Sequence, residues 1–555
     1  MSESSRPHDR SVVIVGSGFG GSVTACRLAE AGYQVTVLER GRRWTRFPRG
    51  PNDPWIYDSR NPAKWNGWVE FHLWRKMAVA TGAGVGGGSL IYANVSEIPP
   101  EHTFERGWPK EITYEVLKPH YDEAGRVLAV AKVPDGQLSE RFRVVREAAE
   151  AIGDGARFRK LNLAVSFAEG WKPGEDSREV LHKQPVEARA PQPVQGTCVH
   201  CGNCDLGCEF KAKNTLDFNY LWRAENAGAE VRSLCQVEHV EPVAGGYRVH
   251  YWEIDPKRRT RTRRTVSARR VILSAGSLGS TEILLRSREK HLPRLSPFLG
   301  RNWSSNGDFL TFARYPGRRI DPSRGVTISC GIDYLRPDES PAQFMVEDGG
   351  LPPVLRNYLL YVWGNRLARA LPPVRPFIRR RMEKLRHTDY AADTMPWFAN
   401  GVDGADGRLR LGRRWYTPWR RELMLDWDLE ASRAMFDGIL AQHLQLTRAT
   451  GGKPSLFRFF YELTHSLVTP HPLGGCNLGD TPETGVVNHA GEVFAYPDLY
   501  VADGAVVPEA VGLNPSRTIA AVAERIAAII LENDRRPLFR APEKLVGANA
   551  LEVTS

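Results

Sequence analysis

No stretch of about 18 uninterrupted apolar residues, the length a membrane-spanning helix needs, occurs anywhere in this chain of 555 residues. Its most apolar late segment, IAAVAERIAAII from Ile519, is broken by Glu524 and Arg525, so a transmembrane helix is not expected. A secretory signal is not expected either. The polar MSESSRPHDR runs straight into VVIV with no apolar signal core, and the expected location is cytoplasmic, with lipid contact at most peripheral. Cysteine is scarce, eight in all, and a reducing compartment favours thiols or metal ligands over disulfides. Cys26, Cys235, Cys330 and Cys476 are scattered along the chain and read as buried thiols. Internal repeats and long low-complexity linkers are absent. Acidic residues fall short of basic ones, 64 against 75, for a formal net charge of +11. That excess suits anionic lipid, an acidic partner or nucleic acid. Nucleic acid is set aside: the densest basic stretch, PKRRTRTRR from Pro256, lacks the interleaved aromatics on which single strands stack. It reads as the solvated tip of a hairpin over residues 246–268, with DPKRR as the turn.

What is present begins at residues 12–40, where VVIV, GSGFGG, the helical SVTACRLAEAG and QVTVLER succeed one another as strand, turn, helix and strand. Gly16, Gly18 and Gly21 form G-x-G-x-x-G with Phe19 and Gly20 inside it. The first glycine permits the tight turn, the second lets backbone approach a pyrophosphate, and the third lets helix close on strand. Glu39 ends the second strand, where an acid accepts hydrogen bonds from an adenosine ribose. The unit predicts an α/β chain with a Rossmann-like domain holding a dinucleotide.

Two later stretches are candidates for the same cofactor. TGAGVGGGSLIYANV, residues 81–95, is too glycine-rich for a regular helix or strand interior and suits backbone lying against a ligand; a plain loop is the alternative. Its candidate contacts are Gly86, Gly87, Gly88, Ser89 and Asn94. RRVILSAGSLGSTEILLRS, residues 269–287, runs from a buried strand through a small-residue turn with Ala275 and Gly276 into a helix, as a further crossover of the sheet would. Residues 351–386 differ from their surroundings: Val354, Leu355, Tyr358, Leu359, Val362 and Trp363 recur at helical spacing between basic flanks. Such a segment either lies in a membrane interface or forms a buried amphipathic helix. The tail after Arg535 has no clear periodicity.

GSGFGG, GVGGGSL at 84–90, THSLVTPHPLGGCNLGD at 464–480 and GVVNHAGEVFAYPDLYVADGAVVPEAVGLNPSRTIAAVAERIA at 485–527 together resemble the glucose–methanol–choline (GMC) oxidoreductases. The resemblance is closest to their bacterial cholesterol-oxidase-like branch, and it weakens over roughly residues 310–460. It implies FAD as the dinucleotide, a cofactor domain built from discontinuous segments, and an α+β substrate domain whose antiparallel sheet caps the flavin. The expected division is 1–120, 191–305 and 461–535 for the FAD-binding parts, 121–190 for a helical cap insertion, 306–460 for the substrate domain and 536–555 for the tail.

His471 matches the family's active-site histidine and Asn514 the asparagine beside the flavin. Imidazole chemistry agrees, since a histidine with an ordinary pKa near 6.5 can take a hydroxyl proton near neutral pH while hydride leaves the same carbon. Asn514 followed by Pro515 also reads as a helix start, with Asn514 as cap. Asp503 and Gly504, after LYVA, look like the family's late FAD-contacting turn. Glu347 is the candidate for the acid that shifts a steroid double bond in that branch, or else a structural acid. The resemblance thus implies oxidation of a 3β-hydroxysteroid, with oxygen reoxidising the flavin. The rival readings are a dehydrogenase of another bulky lipid or terpene alcohol that uses a quinone or protein acceptor, and a lipid-binding protein that keeps flavin only as structure.

Four of the eight cysteines fall in TCVHCGNCDLGCEF, as C-x-x-C-x-x-C-x-x-x-C at Cys198, Cys201, Cys204 and Cys208. The spacing is that of an iron–sulfur run. However, Glu209 stands where a proline usually follows the fourth cysteine, and a flavin oxidase requires no second redox centre. Metal-free thiols are the favoured reading, with an iron–sulfur cluster and zinc as alternatives.

Overall fold

Val12, Val13, Ile14 and Val15 are all buried, so the strand Ser11–Val15 shows no polar face, as expected of a parallel strand covered on both sides. The computed structural model, which describes residues 10–47, 55–182, 191–337, 342–353, 376, 380, 391–415, 417–454 and 466–535, places this strand at the centre of a five-stranded sheet. Its neighbours are Arg270–Leu273 and then Leu499–Val501 on one side, Gln34–Leu38 and then Glu230–Arg232 on the other. Every pairing is parallel. One layer is therefore assembled from widely separated stretches, the discontinuous cofactor lobe that the sequence implied. Most of residues 351–386 and the tail beyond Arg535 lie outside the described residues.

The helices Phe19–Glu30 and Ser516–Arg535 lie against each other over this sheet. The charges that interrupt the late apolar run are used here. Glu524 is buried and accepts from Arg27 Nε at 2.7 Å and from the Tyr220 hydroxyl at 2.7 Å, so it ties three helices together. Among the described residues no helix is long and apolar enough to cross a membrane.

The expected hairpin is present as Gly246–Asp255 paired antiparallel with Thr260–Ala268, and Cys235–Val243 adds a third strand. The substrate layer is a six-stranded antiparallel sheet in the order Lys453–Pro454, Phe309–Arg314, Thr394–Gly401, Phe344–Asp348, Cys330–Tyr334 and Phe158–Lys160. The stretch 121–190 contributes to this layer: Phe158–Lys160 is its edge strand, and the helix Glu140–Ala151 lies over it. The helix Arg433–Ala449 covers the same outer face. Strand alternation then sends Phe398, Asn400, Met345 and Glu347 to the inner face, toward the cofactor lobe.

Candidate active site

The glycine turn is shaped by protein on one side and by open space on the other. Gly16 has φ +95°, and a Cβ there would stand 2.3 Å from the Ser274 carbonyl oxygen. A Cβ on Gly20 would lie 1.5 Å from the Ala502 oxygen, and one on Gly21 2.1 Å from the Gly16 oxygen. These glycines let the first turn, the later crossover and the helix Phe19–Glu30 close on one another. At Gly18 and Gly88 a Cβ would meet no atom of the described residues within 4 Å beyond its chain neighbours. Both residues line a cavity of about 550 Å³ that continues past Phe19, Glu39 and Gly87. Bare backbone facing open space is what a bound pyrophosphate requires, so these residues fit a dinucleotide.

Glu39 is buried at the cavity and accepts from Ser17 N at 3.1 Å, Ser17 Oγ at 2.6 Å and Gly41 N at 2.9 Å. A carboxylate offers about four acceptor sites, so capacity for a ribose hydroxyl remains. Burial pushes its pKa up. On the far side Ala275 and Gly276 line the cavity with Asp503 and Gly504. Asp503 Oδ2 accepts from Gly276 N at 2.7 Å and Ser280 Oγ at 2.6 Å, and Oδ1 accepts from Ala505 N at 2.8 Å. Burial raises this carboxyl to about 6.

Other expected contacts stand behind the wall. Gly86 N donates to Ser17 Oγ at 3.1 Å, and Ser89 Oγ donates to Gly86 O at 2.7 Å. Gly21 and these two residues brace the loops that face the cavity. Asn94 has φ +71° and a buried side-chain amide with no partner among the described residues, whereas its neighbours Ala93 and Val95 line the cavity.

At the other end of the same cavity stand His471, Asn514 and Pro515. The strand Leu467–Thr469 delivers His471, whose backbone N–H donates to Thr469 Oγ1 at 2.9 Å. Nδ1 lies 2.9 Å from Asp308 Oδ1. Asp308 is buried and accepts from Thr469 Oγ1 at 2.6 Å and from Asn400 Nδ2. Burial raises the Asp308 pKa while His471 and these donors pull it down. Because a carboxylate accepts, Nδ1 carries the proton and Nε2 keeps its lone pair. Asn400 Nδ2 also stands 3.3 Å from Nδ1, but the shorter contact to the carboxylate favours the Nδ1–H tautomer, which leaves Nε2 able to take a proton.

Asn514 corrects one expectation. The carbonyl of Pro515 takes the first helical bond, from Ile519 N at 2.9 Å, so the helix Ser516–Arg535 begins one residue later than expected and Asn514 is not its cap. Asn514 is buried, and its Oδ1 has no hydrogen-bond partner among the described residues. An unpaired buried amide oxygen is costly unless a ligand supplies the donor.

Glu347 stands opposite Phe398 across the strand pair, on the sheet's inner face. Phe398 lines the cavity, and its ring meets His471 edge-on at 6.2 Å. Glu347 is fully buried with neither carboxyl oxygen partnered among the described residues. Burial, with Asp348 and Asp308 nearby, raises its pKa well above the usual range. The cysteine run is close by: all four thiols are free, and Asp205 and Leu206 between them form part of the cavity wall. Asp308, Asn400 and Thr469 are the functional neighbours that sequence reasoning did not single out. Asp308 precedes a strand in SSNGDFL, and only an acid set against the start of an apolar strand hinted at it.

Compared with known proteins, residues 182–305 and 432–523 match models described as GMC oxidoreductase, and residues 14–45 match an NAD(P)-binding Rossmann-like domain. A cholesterol oxidase of Acinetobacter baumannii is 32% identical, over 94% of this chain and 94% of that protein. A cholesterol oxidase of Mycobacterium tuberculosis is 33% identical, over 95% of this chain and 93% of its own length. Among solved structures, pyridoxine 4-oxidase from Mesorbium loti superposes with a TM-score of 0.61 at 16% identity, covering 94% of this chain and 99% of the other. At that identity the last match speaks for the fold.

Proposed function

Because the chain belongs to the GMC oxidoreductases, a family of FAD-dependent enzymes, we propose that it oxidises the 3β-hydroxyl of a sterol to a ketone, with oxygen as the final acceptor. The observation that carries this reading is His471, set at the cavity with Nδ1 held by Asp308 at 2.9 Å. Bound FAD supplies the acceptor for the hydride that leaves the carbinol carbon. Nε2 of His471 takes the hydroxyl proton, and the Asp308 carboxylate stabilises the imidazolium that results. Asn514 orients the substrate or the flavin edge through its amide oxygen, unpaired among the described residues. Gly18 and Gly88 leave room for the pyrophosphate, and Glu39 holds the ribose.

The sterol would be drawn from a lipid surface. Leu310 and Val468 line the cavity yet are 49% and 57% exposed, so the cavity opens between apolar side chains. The bulky, apolar entrance suits a steroid better than a sugar.

Anaerobic titration of the FAD-loaded protein with cholesterol tests the reading. Stoichiometric bleaching of the visible flavin band is expected, followed by peroxide when air is admitted. No bleaching with FAD retained would remove the sterol from the proposal. Bleaching without peroxide would move the acceptor to a quinone or a protein.

Glu347 extends the reading to isomerisation. A carboxyl with a strongly raised pKa is a strong base once ionised, able to take a proton from one steroid carbon and return it to another. Glu347→Gln is expected to keep flavin bleaching within about threefold while the conjugated enone product disappears in favour of the unshifted ketone. Enone formation at the parent rate would remove Glu347 from this role.

A further inference from the structure

The chain curls between Cys198 and Lys211 instead of extending. His200, Gly202, Gly207 and Lys211 have φ of +55°, +70°, +101° and +53°, a left-handed conformation that residues with a Cβ adopt only when their surroundings enforce it. The curl holds Cys198, Cys201, Cys204 and Cys208, and Cys204 and Cys208 pack against the same buried apolar cluster that contains Cys198. None is in a disulfide. Alcohol oxidation uses none of them.

Three features of the surroundings suit negatively charged sulfur. Backbone N–H groups point at it: His200 N lies 3.4 Å from Cys198 Sγ, and the N–H groups of Ala212 and Lys213 address Cys208. Neutral thiol sulfur is a weak acceptor, whereas hydrogen bonds to cluster sulfurs are a regular means of tuning them. Next, Lys213 is buried, and its Nζ donates to the carbonyls of Leu90 at 3.1 Å and Cys204 at 2.7 Å. Among the described residues no carboxylate forms an ion pair with it; Asp205 and Asp217 act on it only at longer range. A buried ammonium needs compensating charge, and a group ligated by four thiolates supplies it. Finally, the fourth cysteine turns back. In two-cluster ferredoxins the last cysteine of this spacing serves the other cluster. Here the left-handed residues Gly207 and Lys211 flank Cys208 and return it to the other three.

Zinc fits less well. Tetrahedral Zn–S bonds of about 2.3 Å bring sulfurs to about 3.8 Å from one another. Among the described residues, however, the group whose ligand atoms all lie within 4.8 Å is His239, His250 and His291, and no three of these sulfurs meet that limit. A cluster spreads its sulfurs over separate irons and tolerates the wider spacing.

We propose that Cys198, Cys201, Cys204 and Cys208 bind a four-iron iron–sulfur cluster behind the wall of the flavin cavity. Asp205 and Leu206, within the run, line that cavity, and so does Tyr92, whose ring carries the Lys213 ammonium at 4.7 Å from its centre. The cluster site is thus about one side chain from the cofactor cavity.

The full-length, FAD-loaded protein decides the matter after anaerobic purification and reconstitution with ferrous iron and sulfide. Iron and labile sulfide near four of each per chain are expected, with a low-temperature paramagnetic signal after dithionite reduction. The double variant Cys204→Ala, Cys208→Ala is expected to lose iron, sulfide and signal, with FAD content in the same sample reporting the fold. If that variant fails to fold, the parent measurement stands alone. Parent protein that retains FAD but takes up neither iron nor sulfide, or that takes up zinc instead, overturns the proposal. Bleaching by cholesterol is read separately, so the cluster can fail without the sterol and the sterol without the cluster.

Discussion

His471 takes its chemical character from Asp308, 163 positions away in the chain. The carboxylate accepts from Nδ1, and that hydrogen bond leaves the lone pair on Nε2. Asp308→Asn keeps the size but exchanges an acceptor oxygen for an NH2, which, turned toward Nδ1, donates to it and gives up the hydrogen bond from Asn400 Nδ2. Nε2 then takes the proton and ceases to be a base. The rate of anaerobic flavin reduction is expected to fall about 100-fold or more, with FAD content unchanged. Because the defect lies in the tautomer and not in the protonation state, raising the pH does not restore the rate. An unchanged rate would show that Asp308 has no hold on the base. His471 and Asn514 were legible from PHPLGGC and GLNPSR because those motifs are local. Asp308 and Asn400 were not, because they reach His471 only through tertiary contact, from the stretch where resemblance weakens. The misassigned cap has a similar cause: an Asn-Pro pair is a helix-start signal whichever residue's carbonyl takes the first bond.

At the scale of elements, the strand–turn–helix–strand unit was readable because its apolar period and its glycines lie within thirty or so residues. The glycines nevertheless have unlike reasons, which sequence alone does not separate. Gly20→Ala would drive a methyl to 1.5 Å from the Ala502 carbonyl, forcing the helix Phe19–Glu30 away from the strand Leu499–Val501 and its turn. At Gly18 an added methyl would meet nothing within 4 Å among the described residues beyond its chain neighbours; it would enter the cavity where the proposed pyrophosphate would lie. The Gly20 variant is therefore expected to be poorly folded with or without FAD. The Gly18 variant should fold, give an ordinary circular dichroism spectrum and bind FAD at least about tenfold more weakly. Equal FAD affinity in the Gly18 variant and the parent would contradict the cradle. The substrate sheet was less legible than this unit. Phe309–Arg314 pairs with Thr394–Gly401, and the edge strand Phe158–Lys160 comes from a stretch expected to form a cap. Such distant pairings leave no local signal beyond alternation.

For the molecule as a whole, the two layers share one cavity, and the surface around its mouth is unusual. Among the described residues, large exposed apolar side chains include Leu73, Leu310 and Val468, with Trp415 and Trp419 at 90% and 79% exposure. The tryptophans belong to the hairpin of Arg408–Arg414 and Thr417–Asp426, which also carries Arg413, Arg420 and Arg421. Arg414 Nη2 donates to Leu73 O at 3.1 Å. Leu73 pairs with Ala78, which pairs with Val468 at the mouth. Tryptophan and arginine side by side suit the boundary between headgroups and acyl chains, and the net charge of +11 favours anionic lipid. Residues 351–386, read as either a membrane-interface segment or a buried amphipathic helix, lie mostly outside the described residues; among those described, this hairpin carries the features that suit a lipid surface. Flotation with anionic vesicles is expected to recover the parent protein, less of it as salt rises. The double variant Trp415→Ser, Trp419→Ser should bind at least about tenfold more weakly, since burying a large apolar side chain contributes roughly 1.5–3 kcal/mol. Its bleaching by detergent-dispersed cholesterol should match the parent, because neither tryptophan lines the cavity. Equal flotation of variant and parent would place lipid contact elsewhere. Weaker flotation together with lost bleaching would mean that the hairpin shapes the entrance and does not dock the protein.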